Sequence, residues 1–276
     1  MDNKFLALII GFGILIAFVG VIGVTSDDPE LTTAKPEKTT VEVVETTLPP
    51  ADMTTEPTTE AKKEFRNGDL SYLDDALFIG DSRTVGLQSY TDIKNADFFC
   101  SVSLSVFKVF TEKTKVDGNL TDLRTLLKSK NYAKVYVMLG INELGYNRQT
   151  AFGKYKELIN EIRTLQPDAY IFIEGNIHVG AERSARDTVI NNKAVNEYNA
   201  LLESLQNEKD IFYIDVNSVF DDANGNLSTS YSSDGIHLFP KDYKLWRDFI
   251  LTKTIRVDAE TVTEPQLTTE DTTISE

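Results

Sequence analysis

An α/β domain built on a parallel sheet is the fold class this sequence predicts, and three observations predict it. Five short apolar, β-rich runs recur between residues 66 and 256 of the 276-residue chain. Most are continuous rather than alternating, as expected of strands covered on both faces. Amphipathic helical patterns lie between them, and strand–helix–strand repetition implies helical layers on either side of a parallel sheet.

The first strand is expected at residues 76–80 (ALFIG), where it stops at Asp81-Ser82 and gives way to a helix-like segment. The second, at 97–101, is the apolar run DFFCS and contains Cys100, the single cysteine. The third is expected at 134–139. In the following TAFGKYKELINEIRTLQP, Phe152, Tyr155, Leu158, Ile159, Ile162 and Leu165 recur at helical spacing, and Pro167 marks the stop. A strand at 169–174 comes next. A second helix at about 188–206 carries Val195, Tyr198, Leu201, Leu202 and Leu205 on one face. The fifth strand is expected at 211–216, and the helical pattern DYKLWRDFILTK closes the domain.

The ends of the chain read differently. Residues 5–24 run for twenty positions without a charge, enough to cross a hydrocarbon core of about 30 Å. Lys4 precedes the run, and Asp27, Asp28 and Glu30 follow it, which places the bulk of the chain outside the cell. Residues 1–24 are thus expected to form an uncleaved anchor; a cleaved signal peptide competes, but no clean small-residue cleavage site follows. Residues 25–65 are rich in Thr, Pro and Glu and hold no aromatic before Phe65, so a disordered stalk is expected. Residues 257–276 have the same composition and are expected to be a disordered acidic tail.

Charge follows this partition. The chain carries a net charge of −15, yet between Phe65 and Arg256 23 Lys and Arg stand against 26 Asp and Glu. The folded part is nearly neutral and shows no basic patch, which argues against nucleic-acid binding. One cysteine excludes a disulfide framework, and Cys100 reads as a small buried hydrophobe. No zinc-ligand or phosphate-loop pattern appears, so no metal or cofactor is implied.

In open parallel sheets, ligands bind beyond the carboxyl ends of the strands. Ser82 follows the first expected strand, Ser103 the second, Asn142 the third and His178 the fourth; Asp234 and His237 lie in SSDGIHLFP beyond the fifth. These residue types suit acyl transfer. A serine hydroxyl becomes a nucleophile when a base takes its proton, and histidine titrates near neutrality. A carboxylate three residues before His237 can reach and orient the imidazole. Asn142 can donate an amide N–H to an oxyanion, beside the backbone N–H groups of Ser82 and the second loop. Each piece alone has an ordinary reading. Ser82 is a good helix cap, Asn142 a turn former, and Asp234-Gly235 a common turn pair.

Taken in order, GDS after the first strand, G-x-N after the third and D-x-x-H near the C-terminus resemble the SGNH/GDSL hydrolase family. The resemblance covers roughly residues 73–250. It implies a flavodoxin-like three-layer α/β/α sandwich with a five-stranded parallel sheet. It also implies Ser82 as nucleophile, His237 as base, Asp234 as orienting acid, and Ser82, Ser103 and Asn142 as the oxyanion hole. Two positions depart from the family pattern: Ser103 stands where the second motif has glycine, and Glu143 where aspartate is commoner. Ser103 can still donate its N–H if its φ is negative. Arg83, at a helix start where a cation is not electrostatically favoured, is expected either to bind an anionic substrate group or to pair with a nearby acid.

The expectation is a cell-surface serine esterase acting on an acylated carbohydrate, with an O-acetyl ester favoured. A lipase or lysophospholipase is the near alternative, which a lid or an exposed apolar rim would favour. A non-catalytic glycan-binding module and a wall-spanning structural element stand further off.

Overall fold

The computed structural model describes residues 63–255. The expected anchor, nearly all of the stalk and the acidic tail lie outside the described residues. None of the described helices is long and apolar enough to cross a membrane.

The chain runs β1 (Ala76–Gly80), α1 (Ser82–Tyr90), β2 (Asp97–Cys100), β3 (Lys113–Val116), β4 (Asn119–Asp122), α2 (Leu123–Ser129), β5 (Lys134–Met138), α3 (Arg148–Leu165) and β6 (Tyr170–Glu174). It continues through α4 (Ala181–Arg186), α5 (Asn192–Glu203), β7 (Ile211–Ile214), α6 (Asn217–Phe220) and α7 (Tyr243–Leu251). Five strands form one sheet in the order β2-β1-β5-β6-β7, and every neighbouring pair is parallel. This is the α/β sheet expected from the sequence, with each of the five strands within two residues of its expected bounds. β3 and β4 form a separate antiparallel hairpin that the apolar-run reading passed over.

Alternation along each strand divides the core. Leu77, Ile79, Val135, Val137, Ile171 and Ile173 face one side, where Leu123, Leu127, Tyr155, Leu158, Ile162, Tyr198 and Leu202 of α2, α3 and α5 cover them. On the other face the register places Phe98, Phe78, Tyr136, Phe172 and Phe212 side by side across all five strands. Their rings stack at centroid distances of 4.8, 4.7, 4.6 and 5.6 Å. Such pairs add about 0.5–1.5 kcal/mol each beyond area burial. Leu87 of α1 and Tyr243, Trp246 and Ile250 of α7 close this face.

The topology fixes where a site can form. From β1 the chain first moves outward to β2, then returns past β1 to β5 and continues in the opposite direction. The strand order therefore reverses at β1, and in open parallel sheets the carboxyl ends at such a reversal are where ligands bind. Ser82 stands there.

Candidate active site

Ser82 is the first residue of α1, and Asp81 caps the helix: its Oδ1 accepts the N–H of Arg83 at 3.0 Å. The Arg83 guanidinium folds back on the same carboxylate. Its Nε donates to Asp81 Oδ1 at 2.9 Å and its Nη2 to Asp81 Oδ2 at 2.6 Å, with a further bond from Nη2 to Asn176 Oδ1 at 2.9 Å. Asp81 and Arg83 are both buried, at 0% and 1% exposure. This corrects the expectation that Arg83 binds substrate. A guanidinium taken out of water needs a paired charge, and the bidentate contact with Asp81 supplies it. The other half of the expectation, a salt bridge with a nearby acid, describes what is found. The result is a rigid base under the turn that carries Ser82.

His237 reaches Ser82 from the loop before α7. Its Nε2 lies 2.9 Å from Ser82 Oγ, and its Nδ1 lies 2.7 Å from Asp234 Oδ2. Asp234 Oδ1 accepts the backbone N–H of Ile236 at 2.9 Å and of His237 at 2.8 Å, and the hydroxyl of Ser232 at 3.1 Å. Partial burial would raise the Asp234 pKa. The bonds from the His237 ring and from the His237 and Ile236 N–H groups outweigh it and hold the carboxyl well below its ordinary value. An ionised carboxylate only accepts, so His237 Nδ1 carries the proton and Nε2 turns a lone pair to Ser82 Oγ–H. Ser232 also accepts the Gly235 N–H at 2.9 Å. Its part in bracing the turn was not foreseen, although a serine two residues before an aspartate is a recognisable turn signal.

The third loop begins at Gly140, whose φ is +150°. A Cβ there would lie 2.3 Å from Asn176 Nδ2, so the glycine of G-x-N is required by both conformation and close approach. Asn142 follows and is exposed to solvent. Its Nδ2 donates one hydrogen to the Leu104 carbonyl at 2.9 Å, which leaves the second amide hydrogen available. Ser103 is also exposed. Only Asp117 and Glu208 among the described non-glycine residues have positive φ, so Ser103 meets the backbone condition that its replacement of glycine raised. Among the described residues no acceptor takes the N–H of Ser82 or of Ser103. A small apolar cluster of Ile141, Val179 and Val195, with Ile236 and Leu144 packed on it, ties the Asn142 loop to the His237 loop.

Glu143 is 1% exposed and accepts the Val106 N–H on Oε1 at 2.6 Å. Burial pushes its carboxyl up to about 7, against the opposing effect of that hydrogen bond. His178 belongs elsewhere. It is buried, with Nδ1 2.8 Å from Asp221 Oδ2 and Nε2 2.7 Å from Asn196 Oδ1. Cys100 is half-buried, and burial together with the Asp81 charge pushes its thiol up to about 12.

Two surfaces border these residues. A cavity of about 310 Å³ flanks Asp234 and is lined largely by polar side chains, among them Arg183, Arg186, Thr229, Ser232 and Ser233. On the loops that carry Ser103 and Asn142, Val102 and Tyr146 are exposed, and the Tyr146 ring lies 4.6 Å from that of Phe107.

The sequence pattern of the GDSL-like lipase/acylhydrolase family matches residues 78–245. No curated protein matches the chain in sequence. Among solved structures, a Streptococcus pneumonia protein named for platelet activating factor is 18% identical, with 64% of this chain and 81% of that one covered at a TM-score of 0.51. A GDSL-like lipase from Bacteroides thetaiotaomicron is 13% identical, covering 64% and 86% at 0.49. An acetyl-xylooligosaccharide esterase from Geobacillus Stearmophilus is 14% identical, covering 64% and 92% at 0.47. At such identities these likenesses concern the fold alone. The family pattern, in contrast, spans more than half of the chain and includes Ser82, Asn142, Asp234 and His237: this protein belongs to the GDSL-like lipase/acylhydrolase family.

Proposed function

We propose that this protein is a membrane-anchored, outward-facing serine esterase. The observation that carries the reading is the unbroken hydrogen-bond series Ser82 Oγ, His237 Nε2, His237 Nδ1, Asp234 Oδ2. In the proposed reaction Ser82 Oγ attacks the acyl carbon of an ester while Nε2 takes its proton. Asp234 stabilises the imidazolium that forms. The carbonyl oxygen becomes an oxyanion facing the N–H groups of Ser82 and Ser103 and the free amide hydrogen of Asn142. The intermediate collapses as Nε2–H protonates the leaving alcohol, which leaves an acyl-Ser82 ester. Nε2 then takes a proton from water, and the hydroxide adds to the acyl carbon. The carboxylic acid departs as the proton returns to Ser82.

The substrate proposed is an O-acetyl ester on a carbohydrate. Export and the Thr/Pro-rich stalk support a cell-surface target, and Arg183, Arg186, Thr229, Ser232 and Ser233 beside Asp234 offer hydrogen-bond partners to a hydroxyl-rich leaving group. One observation favours a second reading, hydrolysis of a lipid ester: Val102 and Tyr146 expose apolar surface on the two loops beside the proposed oxyanion hole.

A substrate panel separates them. The full chain in detergent, beside Ser82→Ala, is assayed on p-nitrophenyl acetate and butyrate, an acetylated oligosaccharide and a lysophospholipid. Preference for acetate and release of acetate from the oligosaccharide, both lost in Ser82→Ala, are expected. Preference for the lysophospholipid would replace the carbohydrate substrate with a lipid. Turnover indifferent to Ser82→Ala would end the serine-esterase reading.

A further inference from the structure

Glu143 departs from the commoner aspartate of the third motif, and its place in the fold gives the departure a use. Two hydrogen bonds of opposite sense join the third loop to the second. Asn142 Nδ2 donates to the Leu104 carbonyl at 2.9 Å, and Glu143 Oε1 accepts the Val106 N–H at 2.6 Å. Their targets are two residues apart on the segment that begins with Ser103. Leu104 and Val106 are themselves buried, at 0% and 2% exposure, and Leu104 N–H closes a turn on the Ser101 carbonyl at 3.1 Å. The segment is thus held by side chains on one side and by the core on the other.

We propose that Glu143 is a positioning residue which, together with Asn142, clamps the second loop and so sets where the Ser103 N–H stands relative to Ser82. The proposal rests on the esterase reading and deepens it. A donor aimed at a developing oxyanion is worth most when it is held in advance, and a shift of a fraction of an ångström forfeits much of that advantage. A glutamate has the reach to bond Val106 from a 3-10 turn, Ile141–Glu143, whose backbone is fixed by Gly140. Its placement is costly. Oε2 of Glu143 and Nη1 of Arg83 are buried without hydrogen-bond partners, a cost set against the bond that Oε1 makes to the Val106 N–H.

The test compares Glu143→Ala and Glu143→Gln with the wild-type full chain, each checked for folding by its thermal transition. Glutamine keeps an oxygen for the Val106 N–H and alanine does not. With p-nitrophenyl acetate, Glu143→Ala is expected to lower kcat by about 10- to 100-fold with KM within about twofold, and Glu143→Gln to stay within about threefold of wild type. A folded Glu143→Ala with unchanged kcat, or a Glu143→Gln as impaired as Glu143→Ala, overturns the proposal. Hydrogen–deuterium exchange reads the clamp apart from activity. Residues 103–106 should exchange faster in Glu143→Ala and as wild type in Glu143→Gln; unchanged exchange in both overturns it. Ser82→Ala is carried alongside. If it retains full activity the esterase reading fails, and the exchange result still decides whether the clamp exists.

Discussion

Asp234 and Glu174 are both carboxyls near the site, yet their surroundings push them in opposite directions. Asp234 is half-exposed and accepts four hydrogen bonds, which keep it ionised. Glu174 is 3% exposed and accepts one bond, from Trp246 Nε1 at 2.8 Å. Burial raises it from 4.5 to about 7, although that bond and the Arg83 charge oppose the rise. A carboxyl raised in the folded state favours folding when protonated. Its contribution is therefore full below about 4.5 and is lost as pH rises through about 7. Glu143 acts in the same sense, whereas Asp234 contributes above its ordinary value and loses that contribution as pH falls. The thermal midpoint is accordingly expected to fall between pH 5 and pH 8. Glu174→Gln, which keeps an acceptor for Trp246, should flatten that fall; an unchanged slope in melts at several pH values would contradict the assignment.

Residue types and spacing made Ser82, Asn142, Asp234 and His237 candidates, the first two just past strand ends and the last two in a loop before α7. The resemblance of the ordered motifs to the family gave them their expected roles. Burial is not written in spacing, and that is why the choice between a substrate anion and a nearby acid stayed open for Arg83, which lies paired with Asp81 beneath the nucleophile's turn. Glu143 was passed over as a mild variation for the same reason: its partner, Val106, is 37 residues away in sequence.

At the scale of elements, continuous apolar runs announced β1, β2, β5, β6 and β7, since a strand covered on both faces leaves little room for polar residues. The hairpin of β3 and β4 escaped because Lys113–Val116 and Asn119–Asp122 are short and polar. Its signal was the Asp117-Gly118 pair, with φ of +49° and +79°, which suits a two-residue hairpin turn. The packing of α1, which begins with Ser82, against α7, which follows the His237 loop, was equally illegible. It depends on Gly86, where a Cβ would lie 2.1 Å from Cζ of the buried Tyr243. Gly86→Ala is therefore expected to destabilise the fold by about 1–3 kcal/mol through overpacking, measured by denaturant unfolding. Stability equal to wild type would show that α7 can shift without cost.

At the scale of the whole molecule, alternation of strands and helices was enough to foresee a parallel sheet and a site beyond its carboxyl ends. Strand order was not, because the return past β1 is a tertiary choice that no local pattern encodes. The proposed anchor, residues 5–24, lies outside the described residues and rests on twenty uncharged positions and their flanks. It predicts that the protein stays with membranes through alkaline washing and that protease added to intact cells removes the folded part. Recovery in the soluble fraction, or protection from the protease, would contradict an outward-facing anchor.

In the proposed mechanism His237 activates Ser82 as a nucleophile. The most direct measurement is labelling of the full chain with a fluorophosphonate, mapped by peptide mass spectrometry, for wild type and His237→Ala. Stoichiometric labelling at Ser82, slowed by about 10³-fold or more in His237→Ala, is the result predicted. A folded protein that leaves Ser82 unlabelled, or labels it equally fast without His237, would contradict it.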